Sequence, residues 1–389
     1  MEIIPFAKPY IGKEEEEAVL AVLRSGWLTT GNETAEFEKD FADFLKTGEE
    51  NLYCMAVNSA TSGLHLALEA IGIGKGDLVL VPSLTFTATA EVVRYLDAEV
   101  VFVDVIKNGF HMDPAALDGA LSGLKGAKAI IPVHYGGLPC DMDAIMAIAK
   151  KHNVNVVEDA AHSFPSLMPS GWAGLMGSVG VFSFYATKTI STGEGGMVVT
   201  RDKTIADRVK IMRSHGIDRS IWDRYTDVKA SWYYEVIAPG FKYNISDILS
   251  ALGRVQLRRA MELLSMRKEI ARMYDEAFSK DRHFFLPPTG FGDARHLYPL
   301  RLNQEKLAIS RNEFAGKIQE QGVGISVHFI PLHTMPYYKN RYSLKEEDFP
   351  ETMKTYNSTI SLPIWPGMTK AQTDRVIKVV KNLALDYNR

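Results

Sequence analysis

Short apolar runs alternate with helix-patterned stretches over the first two thirds of the chain, and this alternation restricts the fold more than any other feature. Near-continuous apolar runs fall at residues 53–57, 78–82, 100–104, 129–133, 154–158, 180–184 and 196–200. Between them, residues 62–71, 88–96, 114–121 and 142–152 carry apolar side chains at helical spacing. A strand with no polar face has to be covered on both sides, so the pattern predicts a mostly parallel, seven-stranded sheet between helical layers. After about residue 245 the texture changes. There, residues 248–278 read as one long helix or two joined ones, strands are expected at 298–302 and 323–327, and helices at 311–321 and 370–385. The expectation is an α/β chain of two tightly packed domains. Residues 1–245 carry the large sheet and an N-terminal segment, and residues 246–389 form a smaller C-terminal α+β domain.

Composition narrows the function classes. A formal net charge of −3 and a pI near 6.4 leave no basic field for nucleic acid. The two cysteines, Cys54 and Cys140, make neither a disulfide framework nor a metal-ligand spacing, so no metal site is expected and the reducing cytoplasm is the expected compartment. No apolar stretch approaches the roughly 20 residues of a membrane span, and the N-terminus lacks a signal-peptide layout.

In parallel sheets, ligands sit at the carboxyl ends of the strands. Residues 58–61, 83–86, 134–137 and Asp159 all fall at such ends, so separate loops converge on one pocket. Two of the converging groups carry specific chemistry. The run 154–158 leads into Glu158 and Asp159, a carboxylate at the end of a buried element. About thirty residues later, Lys188 stands between small hydroxyl and glycine residues, with no acid nearer than Glu194 on its C-terminal side. An amine able to form a Schiff base and an acid able to hold a pyridine nitrogen protonated are the two groups that pyridoxal phosphate chemistry needs most. Taken singly, a strand-end acid such as Asp159 is more often a loop start or helix cap and a lone lysine is usually a solvated charge; taken together they favour the cofactor. Ser59 and Thr61 are either plain caps or, with the amides of a helix start, a phosphate cradle. Phe86 reads as a ring that stacks on the pyridine or as a core aromatic. His162 reads as a contact to the cofactor's phenolic oxygen or as a structural histidine, and Ser183 offers a further hydroxyl to the phosphate.

These stretches, with residues 25–31 and 183–200, resemble the pyridoxal-dependent nucleotide-sugar aminotransferases nearly end to end. Within that family, residues 131–135, 239–247 and 327–329 resemble most closely the enzymes of the amino-arabinose branch that serves lipid A modification. The resemblance implies a fold type I aminotransferase, a homodimer with active sites at the subunit interface, and glutamate and 2-oxoglutarate as the amino-donor pair. It further implies Lys188 as the lysine that binds the cofactor and Asp159 as the pyridinium partner. Ala60, Thr61 and Ser183 would hold the phosphate, joined by Asn244 from the other subunit, with Phe86 stacking and His162 on the phenolic oxygen. Many relatives have asparagine where this chain has Lys242, and a basic residue where it has Asn244. Segments 27–31 and 328–329 resemble those that cover the substrate side.

The chain also departs from the family pattern. Residues 163–172 are bulkier than usual, which predicts a reshaped sugar pocket, and Tyr185 stands where histidine is common. Arg213, His215 and Arg219 lie near a plausible diphosphate path but read better as a solvated, charged helix end. Rival readings are a sugar 3-dehydratase, disfavoured because Lys188 is present, and a sensor that binds pyridoxal phosphate without turnover. A nicotinamide-binding Rossmann protein is also disfavoured, because residues 193–196 lack the glycine fingerprint.

Overall fold

The seven apolar runs form a single sheet, and one reversed strand sets its polarity. The structure, a computed structural model, describes residues 2–46, 48, 51–218 and 233–389. In chain order the strands of the first part are β1 (Tyr53–Val57), β2 (Leu78–Pro82), β3 (Glu99–Val103), β4 (Ala127–Ile130), β5 (Asn155–Asp159), β6 (Leu167–Met168), β7 (Gly171–Trp172), β8 (Val179–Ser183) and β9 (Gly196–Thr200). All but the β6–β7 hairpin join the large sheet, in the order β1-β9-β8-β5-β4-β2-β3. Only β9 is antiparallel to its neighbours. β1 and β8 therefore run the same way, and the carboxyl ends of six strands meet the start of β9 at one edge. The observed β4 stops earlier than the apolar run does, because Pro132 has no amide to continue the ladder. Ile131 and Val133 still lie alongside β2 and β5, through the bond from the Ile131 amide to Leu80 and the Val133–Asp159 bridge.

Helices α1 (Lys13–Ser25), α2 (Asn32–Leu45), α3 (Ala60–Ala70), α4 (Thr87–Tyr95), α5 (Pro114–Gly123), α6 (Met142–His152) and α7 (Lys203–Met212) belong to this part. The apolar stretch beyond residue 245 is two helices, α8 (Asp247–Arg258) and α9 (Ala260–Phe278), separated at Arg259 (φ −96°, ψ 2°). Then follow β10 (Phe284–Phe285), β11 (Tyr298–Leu302), α10 (Arg311–Glu320), α11 (Pro336–Tyr342), α12 (Pro350–Ser358), β12 (Thr359–Leu362) and α13 (Lys370–Asp386). β10, β11 and β12 make a small antiparallel sheet. Its core, with Tyr274, Tyr298, Phe314, Ile360 and Val380, also takes in Ile4 from the N-terminus.

The expected strand at 323–327 does not form. Val323 and Ser326 make only isolated bridges, to Ile4 and Ser361, and the Gly324 amide donates to the Ile4 carbonyl at 2.7 Å. A Cβ on Gly324 would lie 2.6 Å from the Phe6 nitrogen, so this segment trades strand pairing for close approach to the N-terminal chain.

Candidate active site

Strand alternation separates the two acids at the end of β5. Glu158 points away from the pocket edge and is completely buried. It accepts the amides of Gly174, Met176 and Gly177 at 2.7, 2.6 and 2.6 Å, and its Oε2 accepts His134 Nε2–H at 2.8 Å. The Cys140 amide donates to His134 Nδ1, so Nε2 bears the proton that Glu158 accepts. Glu158 is thus a structural acid that anchors the turn before β8. Asp159 faces the pocket instead, accepting the Thr89 hydroxyl at 2.8 Å and the Ala161 amide at 3.1 Å. Burial raises its proton affinity, while those two bonds and the positive charge of Lys188 oppose the rise.

Lys188 follows β8 in a turn closed by its own amide on the Tyr185 carbonyl (2.9 Å). Burial pulls its amine down to about 7; Asp159 opposes this, and Arg267 adds to it. At neutral pH a large share of the amine is therefore the free base that nucleophilic or proton-transfer chemistry requires. Tyr185, in place of the histidine common in relatives, leaves this turn intact and presents an exposed ring to the pocket.

Lys188 and Asp159 share a cavity of about 560 Å³ with Ala60, Thr61, Phe86, His162 and Ser183. The start of α3 resolves the choice between cap and cradle. Ser59 Oγ accepts the Ser62 amide at 3.1 Å and caps the helix. The Ala60 and Thr61 amides and the Thr61 hydroxyl take no partner among the described residues, which leaves a set of donors facing the cavity where an anion is favoured. A Cβ on Gly196 would lie 2.8 Å from the Ala60 nitrogen, so this glycine lets β9 pass directly beneath those donors. Phe86 is 55% exposed and only tilts against Phe329, at 5.7 Å between ring centroids. It is no core aromatic, and its face is available to a planar ring. His162 is buried and held well below the usual histidine range by burial and by Lys188. Its Nδ1 accepts the Gly136 amide at 3.3 Å, so Nε2 carries the proton and can donate to a phenolic oxygen. A buried amine, a buried acid facing it and a set of open helix-start donors all match the parts of pyridoxal phosphate.

Several residues lie elsewhere than the sequence led us to expect. Asn244 does not line its own chain's cavity; its Nδ2 donates to Thr30 Oγ1 at 2.6 Å. Segment 27–31 also lies outside the cavity, with the Gly31 amide donating to Asp247 Oδ1 at 2.7 Å. His328 and Phe329 do line it. None of residues 163–177 reaches the cavity. Phe164 packs on Phe41 and Phe44 at 5.0 and 5.2 Å, and Trp172 on Phe44 at 5.5 Å, so the extra bulk fills a core instead of reshaping the pocket. Arg213 is not a solvated end: it pairs with Glu38 and donates to the Ala56 carbonyl. The His215 backbone has φ 66° and its amide donates to Phe241, while Arg219 lies outside the described residues. Sequence reasoning missed Thr89, His296 and Arg267. His296 lines the cavity with its ring 4.5 Å from that of His162, and no motif surrounds it.

The profile of the DegT/DnrJ/EryC1/StrS aminotransferase family matches residues 9–381. The Bacillus subtilis spore coat polysaccharide biosynthesis protein SpsC is 41% identical over 384 residues, covering 98% of this chain and 97% of that one. Among solved structures, Streptococcus pneumoniae Spr1654 in its PMP form superposes with a TM-score of 0.90 at 29% identity, covering 98% of this chain and 99% of that chain. The same protein has been solved in its PLP form. Helicobacter pylori PseC, an aminotransferase involved in the biosynthesis of pseudoaminic acid, gives a TM-score of 0.90 at 27% identity, covering 99% of this chain and 100% of that chain.

Proposed function

The chain belongs to the DegT/DnrJ/EryC1/StrS aminotransferase family, and from that premise we propose that it moves the amino group of glutamate to a nucleotide-linked keto-sugar, a UDP-4-keto sugar in the first instance. It is a pyridoxal-phosphate-dependent sugar aminotransferase of fold type I. The observation that carries the proposal is the meeting of Lys188 and Asp159 in one cavity beside the open donors of α3.

When bound, the cofactor supplies an electron sink for the pair released as a substrate C–H bond breaks. The chain's residues do the rest. The Ala60 and Thr61 amides, the Thr61 hydroxyl and Ser183 hold the phosphate, and Phe86 covers one face of the ring. Asp159 keeps the pyridine nitrogen protonated, and the ion pair compensates its own buried charge. His162 Nε2–H donates to the phenolic oxygen. Lys188 Nζ, as the free amine, would take the proton from the donor's α-carbon and give it up on the cofactor side of the connecting nitrogen. The same groups then serve the keto-sugar half-reaction in reverse.

The dimer belongs to this proposal. Asn244 and segment 27–31 are tied to each other yet lie outside their own cavity, and Val236 and Ile237, a few residues before Asn244, are 64% and 53% exposed. Both features are explained if a second copy packs there and Asn244 serves the partner's phosphate. We keep the division into residues 1–245 and 246–389, supported by the separate core of the small sheet. We place the enzyme in the cytoplasm, where glutamate is abundant; among the described residues no helix is long and apolar enough to cross a membrane. The likeness of three segments to the amino-arabinose branch supports a UDP-linked 4-keto acceptor. SpsC and PseC, as named, serve a spore coat polysaccharide and pseudoaminic acid, so we assign the product to a cell-surface glycan without restricting it to lipopolysaccharide. The test uses [15N]glutamate with a panel of UDP-4-keto sugars, read by NMR. Label on the sugar carbon of one acceptor supports the proposal; label that stays in glutamate with every acceptor overturns the sugar assignment.

A further inference from the structure

Arg267, on α9, is 2% exposed and does not itself line the cavity. A charge buried that deeply is ordinarily paired with a carboxylate. Here, among the described residues, the guanidinium bonds only to main-chain carbonyls. Nη1 donates to His296 (3.1 Å) and Ile364 (2.7 Å), and Nη2 to Thr187 (3.0 Å) and, more weakly, Lys188 (3.4 Å). Nε has no acceptor among the described residues, and burial alone lowers the group to about 9. One side chain thus joins the turn carrying Lys188 to two segments from the C-terminal part that also line the cavity. A methionine would fill a similar volume without a buried charge, so packing alone does not account for an arginine.

We propose that Arg267 is a positioning residue for Lys188, clamping the main chain of Thr187 and Lys188 and placing a fixed positive charge behind the amine. The inference rests on the cofactor reading above and goes beyond it. Lys188 is faced by Asp159 from β5, by His162, His296 and His328 across the cavity, and by Glu194 and Tyr185 at its wall. His162, His296 and His328 are all held neutral by burial, so among these groups Asp159 and Glu194 are the acids, and Arg267 is the cation that disfavours the protonated amine.

The experiment follows the visible absorption band of the lysine-bound cofactor against pH in the wild-type holoenzyme, Arg267→Gln and Arg267→Lys, with thermal unfolding as the check on folding. Arg267→Gln is expected to raise the midpoint by about half a unit to one unit, and Arg267→Lys to leave it within about 0.3 unit. Both should lower kcat more than the KM for glutamate, because the clamp is lost. A folded Arg267→Gln protein with the wild-type midpoint would make Arg267 a mere brace and overturn the inference, as would an Arg267→Lys midpoint that rises equally far. If Arg267→Gln does not fold, Arg267→Met, which fills a similar volume without the charge, is read in its place: a raised midpoint supports the inference and the wild-type midpoint overturns it. A wild-type protein with no such band would overturn the cofactor reading, and this inference with it.

Discussion

Replacing Lys188 with methionine should stabilise the cofactor-free protein at neutral pH, by an amount that shrinks as the pH rises. Lys188 titrates near 7 in the folded chain against an ordinary lysine value of 10.5. Between those values the unfolded chain keeps a proton that the folded chain has released, so stability climbs with pH. The lowered lysine is therefore a cost that is full below pH 7 and gone above about 10.5. The gap, 10.5 minus 7, corresponds to at most about 4–5 kcal/mol. Water at the cavity mouth reduces this, so we expect Lys188→Met to gain about 2–4 kcal/mol at pH 7. The advantage should fall by about 1 kcal/mol per pH unit between pH 7.5 and 9.5, since the linkage slope for one proton is about 1.4 kcal/mol per unit. Urea unfolding of both cofactor-free proteins at pH 7, 8 and 9 measures it, and titrations common to both chains cancel in the difference. A difference that stays constant with pH, or a variant less stable at pH 7, would show that Lys188 is hydrated and protonated, and the burial argument would be wrong.

Three further outcomes are expected. Asp159→Asn should keep the cofactor band but lose at least about a hundredfold in kcat, measured by single-turnover reaction with glutamate, because the ring nitrogen loses its acid. Thr61→Val and Ser183→Ala should each weaken cofactor binding roughly tenfold to a hundredfold, about 1.5–3 kcal/mol for a hydrogen bond to a charged group, read by fluorescence titration. Glu158→Ala leaves three amides and the His134 ring without their acceptor and should lower stability by about 3–5 kcal/mol in thermal unfolding, with little change in KM for the protein that remains folded.

The large sheet was readable in the chain because its strands are buried on both faces and so lack polar interruptions. Lys188 and Asp159 were readable as a pair, because each has an ordinary reading alone and only their joint placement at one sheet edge points to the cofactor. α1 and α2 were not, since the acidic run Glu14–Glu17 masks a narrow buried stripe. Only Glu15 and Val22 of α1 are buried, and Gly31, Glu33 and Thr34 at the start of α2 owe their cap to Asp247, some 213–216 residues away. Arg267 was not legible, because its burial depends on tertiary contacts with His296 and Ile364 that no local pattern encodes. Asn244 falls between the two cases. Its motif could be matched to relatives, but whether it serves its own cavity is a question of assembly. The bulk at residues 163–172 misled for the same reason, because the core that receives Phe164 and Trp172 is built from α2, far away in sequence.

The most direct test of the account is an absorbance spectrum of the purified protein with pyridoxal phosphate, wild type beside Lys188→Ala, before and after glutamate. We predict a visible band in the wild type that shifts to shorter wavelength with glutamate, and a Lys188→Ala protein that lacks the wild-type band. A wild-type protein with no band, or one whose band is unchanged by removing Lys188, would contradict the assignment of this cavity as the cofactor site.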